Sequence, residues 1–260
     1  MIRTAALFEQ QRGSLSQAHE PSDHGWLRLE SDLQELAIMQ VTTTSLGDLA
    51  RANPSATRVF LRHRLDFCCG GRQTLAEACE KSGLDTARIV EELEQEASRG
   101  ASSPSWDERS QAELADHIES HYHVALRRDL PLLIEAARKV ERVHAQKPAV
   151  PSGLADVLSD FFTEMQQHMT KEEKVLFPMI RRGAQGQAVY MPVRVMEGEH
   201  DSHREQLLKI RELTGDLRVP PHACATWTAL YHGLEHLETE LMEHIHLENN
   251  VLFSRATREG

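Results

Sequence analysis

Two decapeptides in this chain carry the same polar pair inside an apolar phrase. HMTKEEKVLF runs from His168 to Phe177, and HIHLENNVLF runs from His244 to Phe253. Both read His, three residues, Glu, two residues, Val-Leu-Phe. At a spacing of four, the His and Glu are neighbours on one helix face. That face is otherwise apolar. Stepping by three and four, it runs Leu154, Leu158, Phe161, Met165, His168, Glu172, Val175 and Met179 in one segment. In the other it runs Trp227, Leu230, Leu234, Leu237, Leu241, His244, Glu248 and Val251. An unpaired carboxylate and imidazole in a core would be costly, so any fold of this chain must compensate them.

A second echo precedes each pair. HVALRRDL starts at His123 and HDSHREQL at His200, each reading His, three residues, Arg, two residues, Leu. His200 follows His123 by 77 residues, and His244 follows His168 by 76. Two motifs whose offsets differ by a single residue indicate a duplicated helical hairpin. Each half offers one lone His and one His-x-x-x-Glu pair. The periodicity predicts helices over Asp107–Ala145, Leu154–Arg182, Pro192–Thr214 and within Pro221–Thr257, with KPAVPSG and RGAQGQ as breaks. Pro131 and Pro178 read as kinks within them. Four long amphipathic helices with short connections predict an all-α, up-down-up-down four-helix bundle over 106–260.

The candidate ligands are His123, His168, Glu172, His200, His244 and Glu248. Imidazole with carboxylate suits iron, manganese or zinc better than calcium or magnesium. If both carboxylates bridge two metals, each metal has two nitrogens and two oxygens, and an oxo or hydroxo bridge adds a fifth ligand. An octahedral ion then keeps one open position. His117 and His121 fall outside the repeat register, and His144, His203 and His246 are likewise expected outside the ligand set. A ligand His needs a partner to orient it; Glu173, Glu197 and Glu199 are candidates, against a plain reading as surface charge.

Ahead of the bundle, residues 1–40 read as an extension, 41–97 as a small helical domain and 98–105 (SRGASSPS) as a linker. The small domain contains DFCCGG, with Cys68 and Cys69 adjacent. Adjacent cysteines seldom bridge without strain. Gly70 and Gly71 allow a tight turn that would expose the thiols at a helix start, for redox chemistry or transient metal handling; two small residues packed in a small core fit the spacing equally. Cys79 and Cys224 are expected buried and inert. The four cysteines form neither a zinc pattern nor a disulfide framework, the start MIRTAALFEQQRG has no apolar signal region, and no apolar run approaches a membrane span. The expectation is a cytoplasmic chain without a membrane partner. A net charge of -11 argues against a nucleic-acid surface.

DFCCGG with QTLAEAC, HYHVALRRDLP, KVERVHA, HMTKEEKVLFPMI, VMEGEHD and HIHLENNVLF together resemble the repair-of-iron-centres family, over about residues 42–257. The resemblance implies a small domain carrying the Cys pair and a hemerythrin-like bundle with two non-haem iron ions, oxo- or hydroxo-bridged. Motif by motif, it implies the same six ligands and a thiol or iron-transfer role for Cys68 and Cys69. It implies repair of iron-sulfur clusters under nitric-oxide or oxidative stress by iron donation, with iron-sulfur proteins or their assembly machinery as acceptors. Rival readings of an open site are a nitric oxide or dioxygen scavenger or sensor, and a di-iron nitric oxide reductase. Homo-oligomerisation is left open. The extension over 1–40 departs from the family pattern.

Overall fold

Helix ends in this chain follow from local capping chemistry. The computed structural model describes residues 38–99, 106 and 109–258. Most of the extension over 1–40 and positions 100–105 of the linker lie outside the described residues. Helix α1 (Leu46–Ala52) starts at Ser45, whose hydroxyl accepts the Asp48 N–H. Helix α2 (Ala56–His63) ends at Arg64 in the left-handed region. Thr74 and Glu77 form a capping box at the start of α3 (Leu75–Ser82), which closes on Gly83 at φ 65°. Asp85 caps α4 (Thr86–Ser98). Leu46, Val59, Phe60, Leu65, Phe67, Leu75, Cys79 and Ile89 are buried.

The second part is four long helices. α5 comprises Gln111–His117, a π-helical turn over Ile118–His123 and Val124–Val143. α6 comprises Leu154–Lys171, a π-helical turn over Glu172–Leu176 and Phe177–Arg181. α7 is Gln187–Leu213. α8 comprises Ala225–His246, a π-helical turn over Leu247–Phe253 and Ser254–Ala256. α5 packs on α6 and α8, and α6 packs on α7. The short connections make chain neighbours antiparallel, as expected of an up-down-up-down bundle. Among the described residues no helix is long and apolar enough to cross a membrane.

Two sequence expectations change. Helix α7 begins at Gln187, five residues before Pro192, rather than at the proline. Val189 and Val193 are buried, so core packing on both sides of Pro192 outweighs the backbone bond it cannot donate. In α6, Val175 is 50% exposed rather than inward, and Met179 is half-buried. The π turn inserts an extra residue per turn there. The buried stripe therefore passes to Leu176, Phe177 and Ile180.

The apolar core falls into two clusters along the bundle. One holds Leu126, Leu130, Phe161, Met165, Leu241 and Trp227. The other holds Ile118, Tyr122, Phe177, Met196, Val251 and Phe253. On each helix the predicted ligand residues fall between the two. The small helical part meets the bundle along a close seam. Asn250 Nδ2 donates to the Phe67 carbonyl at 2.9 Å, and Asn249 Nδ2 donates to the Cys68 carbonyl at 3.2 Å. A Cβ on Gly71 would lie 2.6 Å from the Phe67 carbonyl oxygen. Backbone cannot step aside there, so Gly71→Ala is expected to cost about 1–3 kcal/mol. A urea midpoint identical to that of the unaltered protein would show that the close approach of Gly71 to the Phe67 carbonyl does not constrain the fold.

Candidate metal centre

All six predicted residues lie in one buried layer: His123, His168, Glu172, His200, His244 and Glu248. Three of the four helices bear a π turn beside their ligand-type residue, at His123, Glu172 and Glu248. Such turns reorient side chains relative to a regular α-helix. Two groups of four emerge. His123, Glu172, His244 and Glu248 bring one ligand atom each within 4.8 Å of one another, and so do His168, Glu172, His200 and Glu248. Both glutamates belong to both groups.

The rings point their Nε2 atoms inward. His123 Nε2 is 3.3 Å and His168 Nε2 is 3.4 Å from Glu172 Oε2. His200 Nε2 is 3.1 Å from Glu248 Oε2, and His244 Nε2 is 2.8 Å from Glu248 Oε1. His168 and His200 face each other, Nε2 to Nε2, at 3.1 Å. Protein alone leaves this layer unsatisfied. Both Glu172 oxygens, Glu248 Oε2, His123 Nε2 and His244 Nδ1 are buried without a hydrogen-bond partner. Burial, reinforced by the Glu248 charge, pushes the Glu172 carboxyl well above its usual range. Burial acts the same way on Glu248, but the charge and hydrogen bond of His244 and the neighbouring His200 outweigh it and hold that carboxyl well below. Burial lowers His200, yet the Glu248 carboxylate beside it and the charge of Glu172 raise it to about 9. The donor set and the orphaned buried atoms fit a bound transition-metal cation.

Outside the layer, three of the four Nδ1 atoms are engaged. His123 Nδ1 donates to Glu173 Oε1 at 2.8 Å, and Arg127 grips the same carboxylate at 2.7 and 3.0 Å. His168 Nδ1 donates to Glu199 Oε2 at 2.9 Å. Lys171 pairs with Glu199, and His168 and Lys171 hold that carboxyl down at about 2. His200 Nδ1 donates to Asn249 Oδ1 at 2.8 Å. Glu173 and Glu199 thus take orienting positions, whereas Glu197 pairs with Arg194 on the helix surface. Asn249 went unread in the sequence; its register, directly after Glu248 as Glu173 follows Glu172, was the available signal. His117, His121, His144, His203 and His246 lie outside both groups of four. His203 and His246 are nevertheless buried. Burial and the neighbouring His168 and His200 push His203 down to about 2, keeping it neutral.

The cysteine pair sits one layer out. Cys68 is buried and Cys69 half-buried, both as free thiols. The expected exposed position at a helix start is not found, because α3 begins only at Leu75. The segment is pinned instead: Cys69 N–H donates to Asp66 Oδ1 at 3.0 Å, and Asn249 Nδ2 donates to the Cys68 carbonyl at 3.2 Å. Cys69 Sγ lies 3.6 Å from the His200 carbonyl oxygen. A hydrogen bond with Cys69, together with burial, raises the Cys68 thiol well above its ordinary range. Cys79 is buried as expected, but Cys224 is exposed. It stands at the N-cap of α8, where the Trp227 backbone N–H lowers its thiol.

The orphaned oxygens of Glu172 lead to a test in which metal binding and stability move apart. Glu172→Leu is expected to abolish tight metal binding, yet leave the metal-free protein as stable as its parent or about 1–3 kcal/mol more so. Denaturant curves on both metal-free proteins, with metal analysis of each, check this. Full metal occupancy in the variant would remove Glu172 from the ligand set.

Residues 114–256 match the hemerythrin HHE cation binding domain. Residues 42–97 match ScdA_N, a domain of unknown function (DUF542). The chain is 48% identical over 220 residues to the iron-sulfur cluster repair protein YtfE of Yersinia pseudotuberculosis serotype IB (strain PB1/+), covering 85% of this chain and 99% of that relative. The same figures hold for the iron-sulfur cluster repair protein YtfE of Yersinia pestis (strain Pestoides F). With an HHE match spanning more than half its length and relatives covered almost end to end, the chain belongs to the repair-of-iron-centres family, of hemerythrin-like bundle proteins.

Proposed function

We propose that this chain repairs iron-sulfur clusters damaged by nitric oxide or oxidative stress, donating iron held in the buried His/Glu layer. The observation that carries this reading is the pair of four-residue groups sharing Glu172 and Glu248, in a chain 48% identical to proteins named for cluster repair. His123 and His244 would hold one iron and His168 and His200 the other, with Glu172 and Glu248 shared between them. Bound there, iron would supply exchangeable metal chemistry to the layer. Iron is here the cargo, and iron-sulfur proteins or their assembly machinery are the acceptors.

The chain's own residues suit a site that gives metal up. Glu172 and Glu248 offset cationic charge in a core that water does not reach. Metal binding to imidazole and carboxylate ligands displaces protons, so release and protonation are linked. In this reading Cys68 and Cys69 act on departing iron, supported by the contact of Cys69 Sγ with the His200 carbonyl oxygen at 3.6 Å. Asn249 joins the Cys68 carbonyl to His200 through two hydrogen bonds, so movement of the Cys segment reaches a ligand ring directly.

The test loads the protein anaerobically with ferrous iron and mixes it with an apo iron-sulfur acceptor. About two irons are expected to bind per chain, then leave as the acceptor's cluster absorption returns. Nitrous oxide formed over several turnovers with iron retained, or one bound zinc in place of iron, would overturn the reading. The Cys68→Ala, Cys69→Ala double variant is expected to bind iron normally but transfer it several-fold more slowly. Unchanged transfer would reject a role for the pair.

A further inference from the structure

The two groups of four differ in what stands behind their histidines. We infer that the iron held by His123 and His244 is released first, and that the one held by His168 and His200 is retained; this rests on the two-iron reading above. All four Nε2 atoms face the shared carboxylates, so each Nδ1 points outward. The partner on that outer nitrogen fixes the ring and raises its basicity as a ligand. In the His168/His200 group both rings are held, one by Glu199 at 2.9 Å and one by Asn249 at 2.8 Å. In the other group Glu173 holds His123 at 2.8 Å, but His244 Nδ1 is buried with no hydrogen-bond partner.

The duplication shows where the missing partner would stand. Glu199 directly precedes His200, and the residue that directly precedes His123 is Tyr122. In place of a carboxylate, the tyrosine ring stacks on His244, with centroids 5.3 Å apart and planes at 7°. Stacking limits tilt but supplies no acceptor for the ring nitrogen. His244 is therefore the weakest-held of the four imidazoles. Tyr122 also lines a cavity of ≈ 650 Å³ together with Glu240 and Glu243. One aromatic ring thus stands between the least supported imidazole and that cavity.

The experiment follows iron leaving the full chain, loaded anaerobically with ferrous iron, into an excess of a colorimetric ferrous chelator. Two phases of about one equivalent each are expected, separated by ~10-fold or more, the scale on which such outer partners act. Glu199→Gln is expected to speed the slow phase and leave the fast one in place. Glu173→Gln is expected to speed the fast phase further. Tyr122→Glu, which puts a carboxylate in the register of Glu199, is expected to slow the fast phase; should that variant not fold, the two Gln variants decide the matter. Mössbauer spectra of half-released protein are expected to show a single ferrous doublet. Release of both ions in one phase, or a Glu199→Gln variant that speeds the fast phase, overturns the inference and leaves the two-iron reading standing. A protein that never takes up two ions takes both down.

Discussion

Four imidazoles and two carboxylates enclosed between apolar clusters set the terms for the rest of this structure. A lone buried charge without a partner costs several kcal/mol, and here six ionisable groups share one layer. The hairpin duplication explains how the layer is built. The first hairpin supplies His123, His168 and Glu172; the second supplies His200, His244 and Glu248. Neither group of four is complete within one hairpin, since each takes members from both. Joining the hairpins and assembling the layer are therefore the same event, and a cation bound there ties one half of the bundle to the other.

Much of this was legible from spacing alone. A polar residue recurring in an apolar stripe, twice and at nearly equal offsets, identifies the layer because a helix repeats its faces every three or four residues. The four helices and the breaks at KPAVPSG and RGAQGQ follow from periodicity and propensity. What periodicity missed are the places where the helix departs from its own period. The π turn after Lys171 shifts the stripe, so Val175 faces outward and Phe177 inward. Local signals also failed where packing decided the outcome: Pro192 lies inside α7, and Cys224 caps α8 in the open rather than hiding in the core. Partners such as Asn249 are invisible to composition, because an asparagine after a glutamate is unremarked until the repeat is laid over itself.

The repeat also makes the halves comparable, and they are not equal. The position after each shared glutamate is a carboxylate in one half and an amide in the other (Glu173, Asn249). The position before each lone histidine is an aromatic ring in one and a carboxylate in the other (Tyr122, Glu199). The charged partners are themselves anchored, by Arg127 and Lys171. Symmetry in the inner residues with asymmetry in the outer ones is a way to make two chemically alike positions behave differently without changing a ligand.

Asn249 and Asn250 carry a consequence for how separable this molecule is. The two neighbours hold the Cys68 and Phe67 carbonyls, while Asn249 also holds His200. A bundle excised at the connecting segment would keep these amides but lose what they bind, and the Asn249 side chain would be free to turn away from the histidine. The pieces that look like modules along the chain share a single hinge-pin in space, so a transplant of either one to a new protein would need to carry the other's half of that joint.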